Sequence, residues 1–284
     1  MRFVHSLSTR PLKLNAYNTG VWDMFLGNLA YYALSFSYIK NLGHEIVFYG
    51  DEISTRIFDV IPYDEIHNTL DNISSDVHPR FWAAAKIKAL ENEELGAVHI
   101  DGDVFIKSPK CVDIISQPVD LVTQCKEDAV SYQKDAPIFW SDKEFCLERG
   151  LDLEKIGAYN TGVLCFNNQE LKDKFIKGYW DLAKHFSQKF WYVLDIQNFY
   201  TPDLISEQVF VRQVSEDYKT GCVLGDIPLE HFQDAVDRSN EIGYQHVLTN
   251  NKFKITDRCM DVLSKTNPEL HKKISKLCRN ILTR

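Results

Sequence analysis

Two carboxylates separated by one glycine are the residues of this chain best suited to chemistry. Asp101, Gly102 and Asp103 lie in the segment AVHIDGDVFI (residues 97–106), where apolar, strand-like residues precede and follow them. Carboxylates at this spacing suit Mg²⁺ or Mn²⁺, which bind oxygen ligands and keep positions open for phosphate oxygens. Gly102 leaves room for a phosphate or a sugar to approach the backbone. The triplet is also typical of an Asp-Gly turn, but the strand-like residues around it favour a metal site.

A second group of polar residues opens a later strand or lies on a later helix. The strand near residue 160 begins with Asn160, Thr161 and Gly162, whose amide and exposed backbone suit sugar hydroxyls. Turns favour the same residue types, so a simple turn before a core strand is the alternative. Glu207 and Gln208 follow a helix start, and either side chain can face a site or lie on an ordinary polar helix surface.

An imidazole and two ammonium groups complete the set of candidate site residues. His246 can finish a metal site that two carboxylates begin, although a histidine in a strand is more often part of a core. Lys252, six residues later, can meet phosphate oxygens as a point charge. Lys86 lies on the helix that leads into the Asp101 strand and can balance phosphate charge there, or it is an ordinary solvated lysine.

The loops after the first two strands are further candidates for binding a nucleotide. Ser8 and Thr9 follow the first strand, and Asp51 follows the second. In a doubly wound sheet these loops face the ligand crevice, so their hydroxyl and carboxylate oxygens can bond a base or a ribose. A solvated loop and a turn aspartate are the alternatives.

The elements that must position these residues alternate between helix and strand. Apolar runs predict strands over residues 2–7, 45–49, 65–67, 120–124, 159–167, 221–224 and 244–248, besides the strand before Asp101. Helical spacing predicts helices over residues 23–42, 54–60, 81–95 and 169–187, from 201 onward and from 268 onward. This alternation predicts an α/β protein with a largely parallel sheet and crossover helices.

Composition and charge narrow the class of protein. The 284 residues are 44% hydrophobic, which is enough for a large core, and the net charge of −8 argues against nucleic-acid binding. No apolar stretch reaches the roughly 18 residues of a membrane-spanning helix. The seven cysteines are scattered without a C-x-x-C pair, so we expect a reduced, cytoplasmic protein without zinc or disulfides.

The C-terminal part of the chain differs in charge from the rest. From residue 252 onward it has nine Lys or Arg against three Asp or Glu. The helix that begins at Pro268 is amphipathic, and its basic face can rest on an anionic membrane as a peripheral contact. A packed terminal helix with a solvated basic side is the alternative, and the one we favour.

Five of these motifs, in chain order, resemble those of GT-A glycosyltransferases: Lys86, Asp101 with Asp103, Asn160 with Gly162, Glu207 with Gln208, and His246 with Lys252. They are similar to the retaining family-eight group that includes glycogenin and bacterial galactosyltransferases, and to a family of uncharacterised bacterial proteins with a His-Ile-Asp-Gly-Asp-Val-Phe-Ile core. The resemblance spans roughly residues 2–255. It implies a GT-A fold with a mixed, mostly parallel central sheet flanked by helices, with a transferase domain over residues 1–255 and a basic helical extension over 256–284.

The resemblance also implies roles for individual residues. Asp101, Asp103 and His246 would bind Mn²⁺ or Mg²⁺, and Lys252 would contact the diphosphate. Asn160 and Gly162 would lie near the transferred sugar, with Gln208 near the anomeric centre. The candidate catalytic residues are Gln208, Glu207 and Asn160, and the candidate substrate-binding residues are Ser8, Thr9, Asp51, Lys86, Asp101, Gly102, Asn160, Thr161, Gly162 and Lys252.

We therefore expect a metal-dependent hexosyltransferase that uses a nucleotide sugar, such as a UDP-sugar, and a glycan or glycolipid acceptor. Bacterial polysaccharide biosynthesis is the setting that the resemblance implies. Departures from the family's late motif at Thr249, Phe253 and Lys254 leave retention of stereochemistry open. One alternative is a phosphohydrolase of the haloacid dehalogenase type, in which Asp101 attacks phosphorus. Another is a protein that binds a nucleotide sugar without catalysis.

Overall fold

The structure, a computed structural model, describes residues 1–11, 21–128, 136–196, 201–227, 231–247 and 253–282. The strands are β1 (Arg2–Leu7), β2 (Glu45–Gly50), β3 (Glu65–Asn68), β4 (Val98–Ile100), β5 (Val104–Ile106), β6 (Leu121–Glu127), β7 (Ala158–Phe166), β8 (Thr220–Cys222) and β9 (Tyr244–His246). The helices are α1 (Val21–Asn41), α2 (Glu52–Phe58), α3 (Ala84–Asn92), α4 (Pro109–Ile115), α5 (Pro137–Trp140), α6 (Lys143–Glu148), α7 (Gln169–Ile196), α8 (Thr201–Leu204), α9 (Phe210–Val214), α10 (Phe232–Ile242), α11 (Phe253–Thr266) and α12 (Pro268–Leu282).

The main sheet has seven strands in the order β3-β2-β1-β4-β7-β6-β8. Strands β3, β2, β1 and β4 run parallel, and β6 and β8 are parallel to each other. Among the described strands of this sheet, β7 is the one that runs antiparallel to its neighbours, β4 and β6. A second, two-stranded sheet pairs β5 with β9. The predicted fold class, a mixed and mostly parallel sheet flanked by helices, is confirmed.

Adjacent residues of the central strands point to opposite faces of the sheet, and each face has its own core. Phe3 and Ile46 belong to a buried cluster with residues of α1, α11 and α12, whereas Val4 and Val47 belong to a cluster with residues of α3 and α7. Strands buried on both faces read as nearly continuous apolar runs, which explains why β1, β2 and β4 were recognisable from their sequence.

Helix α3 begins three residues later than predicted. The backbone N–H of Ala83, just before the helix, donates to the buried carboxylate of Asp203, 2.5 Å away. The first N–H groups of a helix have no partner within the helix, so a carboxylate from another element can define where the helix begins. A distant partner of this kind leaves no local signal in the sequence.

The helix predicted from residue 201 contains an irregular turn. Helices α8 and α9 are joined by one π-helical stretch, Ile205–Val209, which holds both Glu207 and Gln208. A π turn has one more residue than an α turn and is often found at functional sites. It re-aims the side chains after it, which a helical period of about 3.6 residues does not anticipate.

The C-terminal helices pack onto the body of the protein. Leu263 on α11 and Ile274 on α12 are buried in the same cluster as residues of α1. Asn267, between the two helices, caps α12 through Leu270 N–H and donates to Ser37 on α1. The apolar face of α12 is therefore covered by protein, as in the packed alternative. The domain boundary at 255 and a membrane contact of the basic face stay predictions. None of the described helices combines the length and the apolar character needed to span a membrane.

Asp51 defines the start of α2, which therefore lies two residues earlier than predicted. Its carboxylate accepts the backbone N–H of Ser54, and the Ser54 hydroxyl accepts the backbone N–H of Asp51. The same carboxylate accepts the backbone N–H of Thr9 and the hydroxyl of Ser8. Asp51, only 4% exposed, thus fixes the loop after β1 to the helix after β2.

We expect Asp51→Ala to lower the free energy of unfolding by about 0.5–2 kcal/mol, because a lost helix N-cap costs this much. Urea unfolding measures the change. Asp51→Asn keeps a capping oxygen and should lose less. Asp59→Ala, an exposed aspartate just after the same helix, should stay within about 0.5 kcal/mol of the unaltered protein. Equal losses in the two alanine variants would contradict the capping role.

Candidate functional site

The structure brings Asp101, Asp103 and His246 together at one edge of the main sheet. Their ligand atoms all lie within 4.8 Å of one another, and His246 Nε2 is 3.5 Å from Asp103 Oδ1. Asp101 follows β4 directly, and a tight turn from Asp101 to Val104 carries Asp103 into β5. Strand β9 pairs antiparallel with β5 so that His246 lies opposite Val104. The pairing of two short strands therefore delivers the distant imidazole.

This donor set fits a hard divalent cation. Two carboxylates with one imidazole are ligands that Mn²⁺ accepts readily, and oxygen-rich sites also bind Mg²⁺. Asp103 is 7% exposed, whereas the Asp101 side chain keeps 33% of its surface accessible. The cluster is therefore anchored in the protein at Asp103 and reachable from solvent at Asp101.

The other ring nitrogen of His246 contacts a residue that the sequence analysis did not single out. His246 Nδ1 lies 2.7 Å from Oε1 of Gln124, and the hydroxyl of Tyr244 donates to the same oxygen at 2.8 Å. Gln124 lies on β6 and is only 1% exposed. Gln124 is the last residue of the strand predicted over 120–124, and a polar residue at a strand end gives no sequence signal that it is buried. Once buried, its amide needs hydrogen-bond partners.

Lys86 is the buried cation of the site. Its ammonium Nζ is 3.0 Å from Asp101 Oδ1 and 2.8 Å from Glu207 Oε1, and it donates to the backbone carbonyl of Thr161 at 2.8 Å. Burial disfavours the charged form, but the two carboxylates outweigh it and raise the pKa of Lys86 above its usual value. Lys86 is therefore a charged, internally paired residue, and the solvated alternative is wrong.

Two buried carboxyl groups lie behind Lys86. Glu207 accepts the hydroxyl of Thr161 at 2.8 Å, and Asp203 accepts the hydroxyl of Tyr179 at 3.0 Å. Burial raises the pKa of Glu207, and Lys86 opposes this rise. Burial and the neighbouring Glu207 raise the pKa of Asp203 well above its usual value. In the sequence Asp203 is recognisable only as part of a helix start, because its bonds to Ala83 and Tyr179 depend on tertiary packing.

A β-bulge in β7 positions the Asn160-Thr161-Gly162 motif. Strand β6 advances by two residues from Thr123 to Cys125, whereas β7 covers four, from Leu164 back to Asn160. Bulges of this kind re-aim side chains and are frequent beside active sites. Here the bulge places Thr161 against Lys86 and Glu207, while Asn160 donates to Glu127 and accepts the N–H of Gly162.

The two glycines of the site leave room for protein side chains. A Cβ atom on Gly162 would lie 2.4 Å from Gln124 Oε1 and 2.9 Å from the ring of His246. A Cβ atom on Gly102 would lie 2.0 Å from the ring of Tyr32. The space beside Gly102 on this side is therefore filled by an aromatic ring and is not open to a ligand. Contact of a ligand with the backbone of either glycine stays a prediction.

The remaining candidate residues separate into three cases. Ser8, Thr9 and Asp51 are buried and bonded to one another, and their contact with a nucleotide stays a prediction. Gln208 is partly buried, and its Oε1 has no hydrogen-bond partner among the described residues. Lys252 lies outside the described residues, so its predicted contact with a diphosphate also stays a prediction.

Comparison with protein families matches residues 1–277 to the model of a family of unknown function (DUF6734). The chain belongs to this family. Comparison with curated protein sequences gives no match.

Two solved structures of glycosyltransferases are similar to this chain. One is the galactosyltransferase LgtC in complex with donor and acceptor sugar analogues, at 10% identity and a TM-score of 0.47, covering 93% of this chain and 96% of that one. The other is the apo form of GlyE from Streptococcus pneumoniae TIGR4, at 12% identity and a TM-score of 0.41. This match covers 98% of this chain and 63% of GlyE, less than two thirds of its length. At these values neither likeness assigns an activity to this chain.

The raised pKa of Asp203 predicts a pH dependence of stability. An acid with a higher pKa in the folded state binds its proton more tightly there, so the unfolding free energy falls as the pH rises above the unfolded value near 4. We expect Asp203→Asn to remove this contribution, which reaches at most about 1.4 kcal/mol per pH unit. Urea unfolding between pH 5 and pH 8 measures the slope.

The exposed Asp257 provides the matched control. Asp257→Asn makes the same change of side chain at the surface and should keep the slope of the unaltered protein. An Asp203→Asn variant that loses as much stability between pH 5 and pH 8 as the unaltered protein would show that Asp203 is ionised when folded.

Proposed function

We propose that this protein is a metal-dependent glycosyltransferase that transfers a hexose from a nucleotide sugar, such as a UDP-sugar, to a glycan or glycolipid acceptor. The observation that carries the proposal is the convergence of Asp101, Asp103 and His246 within 4.8 Å at the carboxyl end of a central strand. In open α/β sheets a ligand binds in the crevice at this edge. We propose Mn²⁺, or alternatively Mg²⁺, as the metal.

Transfer from a nucleotide sugar needs stabilisation of the negative charge that develops on the leaving diphosphate. A divalent cation bound by the three residues supplies this charge stabilisation. Lys252 follows β9 by a few residues, and we propose that its ammonium contacts the same diphosphate. Lys86 pairs with both Asp101 and Glu207, which offsets part of their charge and holds the acidic edge in one arrangement.

The transferred sugar would lie beside the β7 bulge. Its anomeric carbon gains positive charge in the transition state, so oxygen atoms nearby stabilise it. Gln208 Oε1 is our candidate for this role, because it is a buried oxygen without a partner among the described residues. Glu207 lies on the same π turn but is bound to Lys86 and Thr161, so we assign it to positioning. Asn160 and Gly162 would line the sugar site. Whether the configuration at the anomeric carbon is retained or inverted depends on which face of the sugar the acceptor attacks.

A thermal-shift experiment tests the metal and the donor together. A ligand at 100 times its Kd stabilises the folded state by about 2.7 kcal/mol, which raises the melting temperature measurably. We expect UDP-hexoses to raise it only when Mn²⁺ or Mg²⁺ is present. Asp103→Ala and His246→Ala should each abolish the metal-dependent part, and Asp257→Asn should retain it.

The other candidate functions give different outcomes in the same experiment. Stabilisation by phosphate or vanadate with Mg²⁺, and by no nucleotide, would favour a phosphohydrolase that uses Asp101. Metal-dependent stabilisation by a UDP-hexose without transfer or hydrolysis of the sugar, measured as release of UDP, would favour a binding protein. An unchanged melting temperature with every nucleotide sugar, with and without metal, would contradict the proposal.

The role of Gln208 is tested by kinetics. We expect Gln208→Ala to lower kcat on the order of 10²-fold, the loss typical for removal of one group that stabilises transition-state charge. Metal-dependent stabilisation by the donor should persist, because Oε1 has no partner to lose among the described residues. Gln245→Ala, an exposed glutamine on β9, serves as the control and should leave kcat unchanged. A Gln208→Ala variant with full kcat would remove Gln208 from the reaction.

A further inference from the structure

The imidazole of His246 lies between two different environments. Its Nε2 faces Asp103 Oδ1 at 3.5 Å, and its Nδ1 faces Gln124 Oε1 at 2.7 Å. A neutral imidazole carries one proton, so one nitrogen donates a hydrogen bond and the other offers a lone pair. A metal ion can bind only the nitrogen with the lone pair, so the choice of tautomer decides whether His246 can serve as a ligand at Nε2.

Gln124 is held so that an oxygen faces the imidazole. The hydroxyl of Tyr244 donates to Gln124 Oε1 at 2.8 Å, on the same oxygen that His246 Nδ1 contacts. An amide oxygen has two lone pairs and accepts both bonds. Gln124 is 1% exposed and Tyr244 is 3% exposed, so water does not compete for these bonds.

Backbone geometry adds a second constraint on Gln124. It is the β6 residue opposite the β7 bulge, and Leu224 N–H donates to its carbonyl at 3.0 Å. Gly162, in the bulge, packs so closely that a Cβ atom there would lie 2.4 Å from Gln124 Oε1. Only a residue without a side chain fits at position 162 while the amide and the imidazole keep their contact.

We propose that Gln124 is the positioning residue of the metal site. Its Oε1 accepts the Nδ1–H of His246 and thereby fixes the tautomer in which Nε2 is unprotonated and directed toward Asp103 and the metal. The inference rests on the proposed function, because it assumes that His246 is a metal ligand. Partners of this kind orient metal-binding histidines, and their loss typically lowers metal affinity 10- to 100-fold.

Metal affinity of three variants tests the proposal without a substrate. Loss of the electron paramagnetic resonance signal of free Mn²⁺ measures binding. We expect Gln124→Met, similar in size but with only a weakly accepting thioether in place of the amide oxygen, to weaken Mn²⁺ binding 10- to 100-fold. Gln124→Glu keeps an acceptor for Nδ1–H and should bind much more tightly than Gln124→Met. Gln245→Met makes the same substitution on the exposed residue next to His246 and should bind as the unaltered protein does.

The tautomer itself is measured on the unaltered, metal-free protein, so the test does not depend on a variant that folds. Nitrogen-15 chemical shifts of the histidine rings distinguish a protonated from an unprotonated nitrogen, and His246 is identified by the resonances lost in His246→Gln. We expect Nδ1–H and an unprotonated Nε2. An Nε2–H tautomer, or full Mn²⁺ affinity in folded Gln124→Met, would overturn the assignment of Gln124.

The two proposals fail in distinguishable ways. If the unaltered protein binds no Mn²⁺ or Mg²⁺, the proposed function fails, and the assignment of Gln124 as a positioning residue for a metal fails with it. If Mn²⁺ binds tightly and Gln124→Met does not weaken it, only the inference about Gln124 fails. Weaker binding in Gln124→Met with the Nδ1–H tautomer in the unaltered protein supports both.

Discussion

The arrangement of the site depends on one buried cation. Lys86 lies between the carboxylates of Asp101 and Glu207, at 3.0 and 2.8 Å, and bonds the backbone of β7 as well. Several acidic groups crowded at one sheet edge repel one another, and removing their charges from water is costly. An ammonium held among them offsets both effects. Its loss would leave Glu207 buried and unpaired, so the lysine belongs to the architecture of the acidic edge whatever ligand the edge binds.

Strand β7 connects the two sides of this edge. It is the antiparallel member of a mostly parallel sheet, and its bulge turns Thr161 toward Lys86 and Gly162 toward His246. One irregular segment therefore fixes the buried ion pairs on one side and the imidazole on the other. The π turn of Ile205–Val209 has a similar effect, because it brings Glu207 to the same lysine. Regular strands and helices form the fold, and the irregular segments within them determine where the polar side chains of the site point.

The site also combines groups that stabilise the fold with groups left open to a ligand. Asp51 and Asp203 both accept backbone N–H groups that precede or begin a helix, so each carboxyl group stabilises the fold. Asp101 keeps a third of its side chain accessible, and Gln208 keeps an unpartnered oxygen among the described residues. Solvent accessibility distinguishes Asp101 from the structural aspartates, and the missing hydrogen-bond partner distinguishes Gln208. The proposed transfer reaction draws on the groups left open to a ligand.

The α/β class, the positions of nearly all strands along the chain and the Asp101–Asp103 pair are recognisable from the sequence, because apolar periodicity and short motifs are local properties. The sequence also indicated His246 as a third ligand, although a histidine in a strand is more often part of a core. Only the three-dimensional arrangement shows that Lys86 is buried and paired and that Gln124 contacts His246. The same holds for the space beside Gly102, which the ring of Tyr32 fills. These contacts depend on strand register, on a bulge and on a π turn. Such features bring together residues that are far apart in the chain, and no local sequence pattern indicates that those residues will meet.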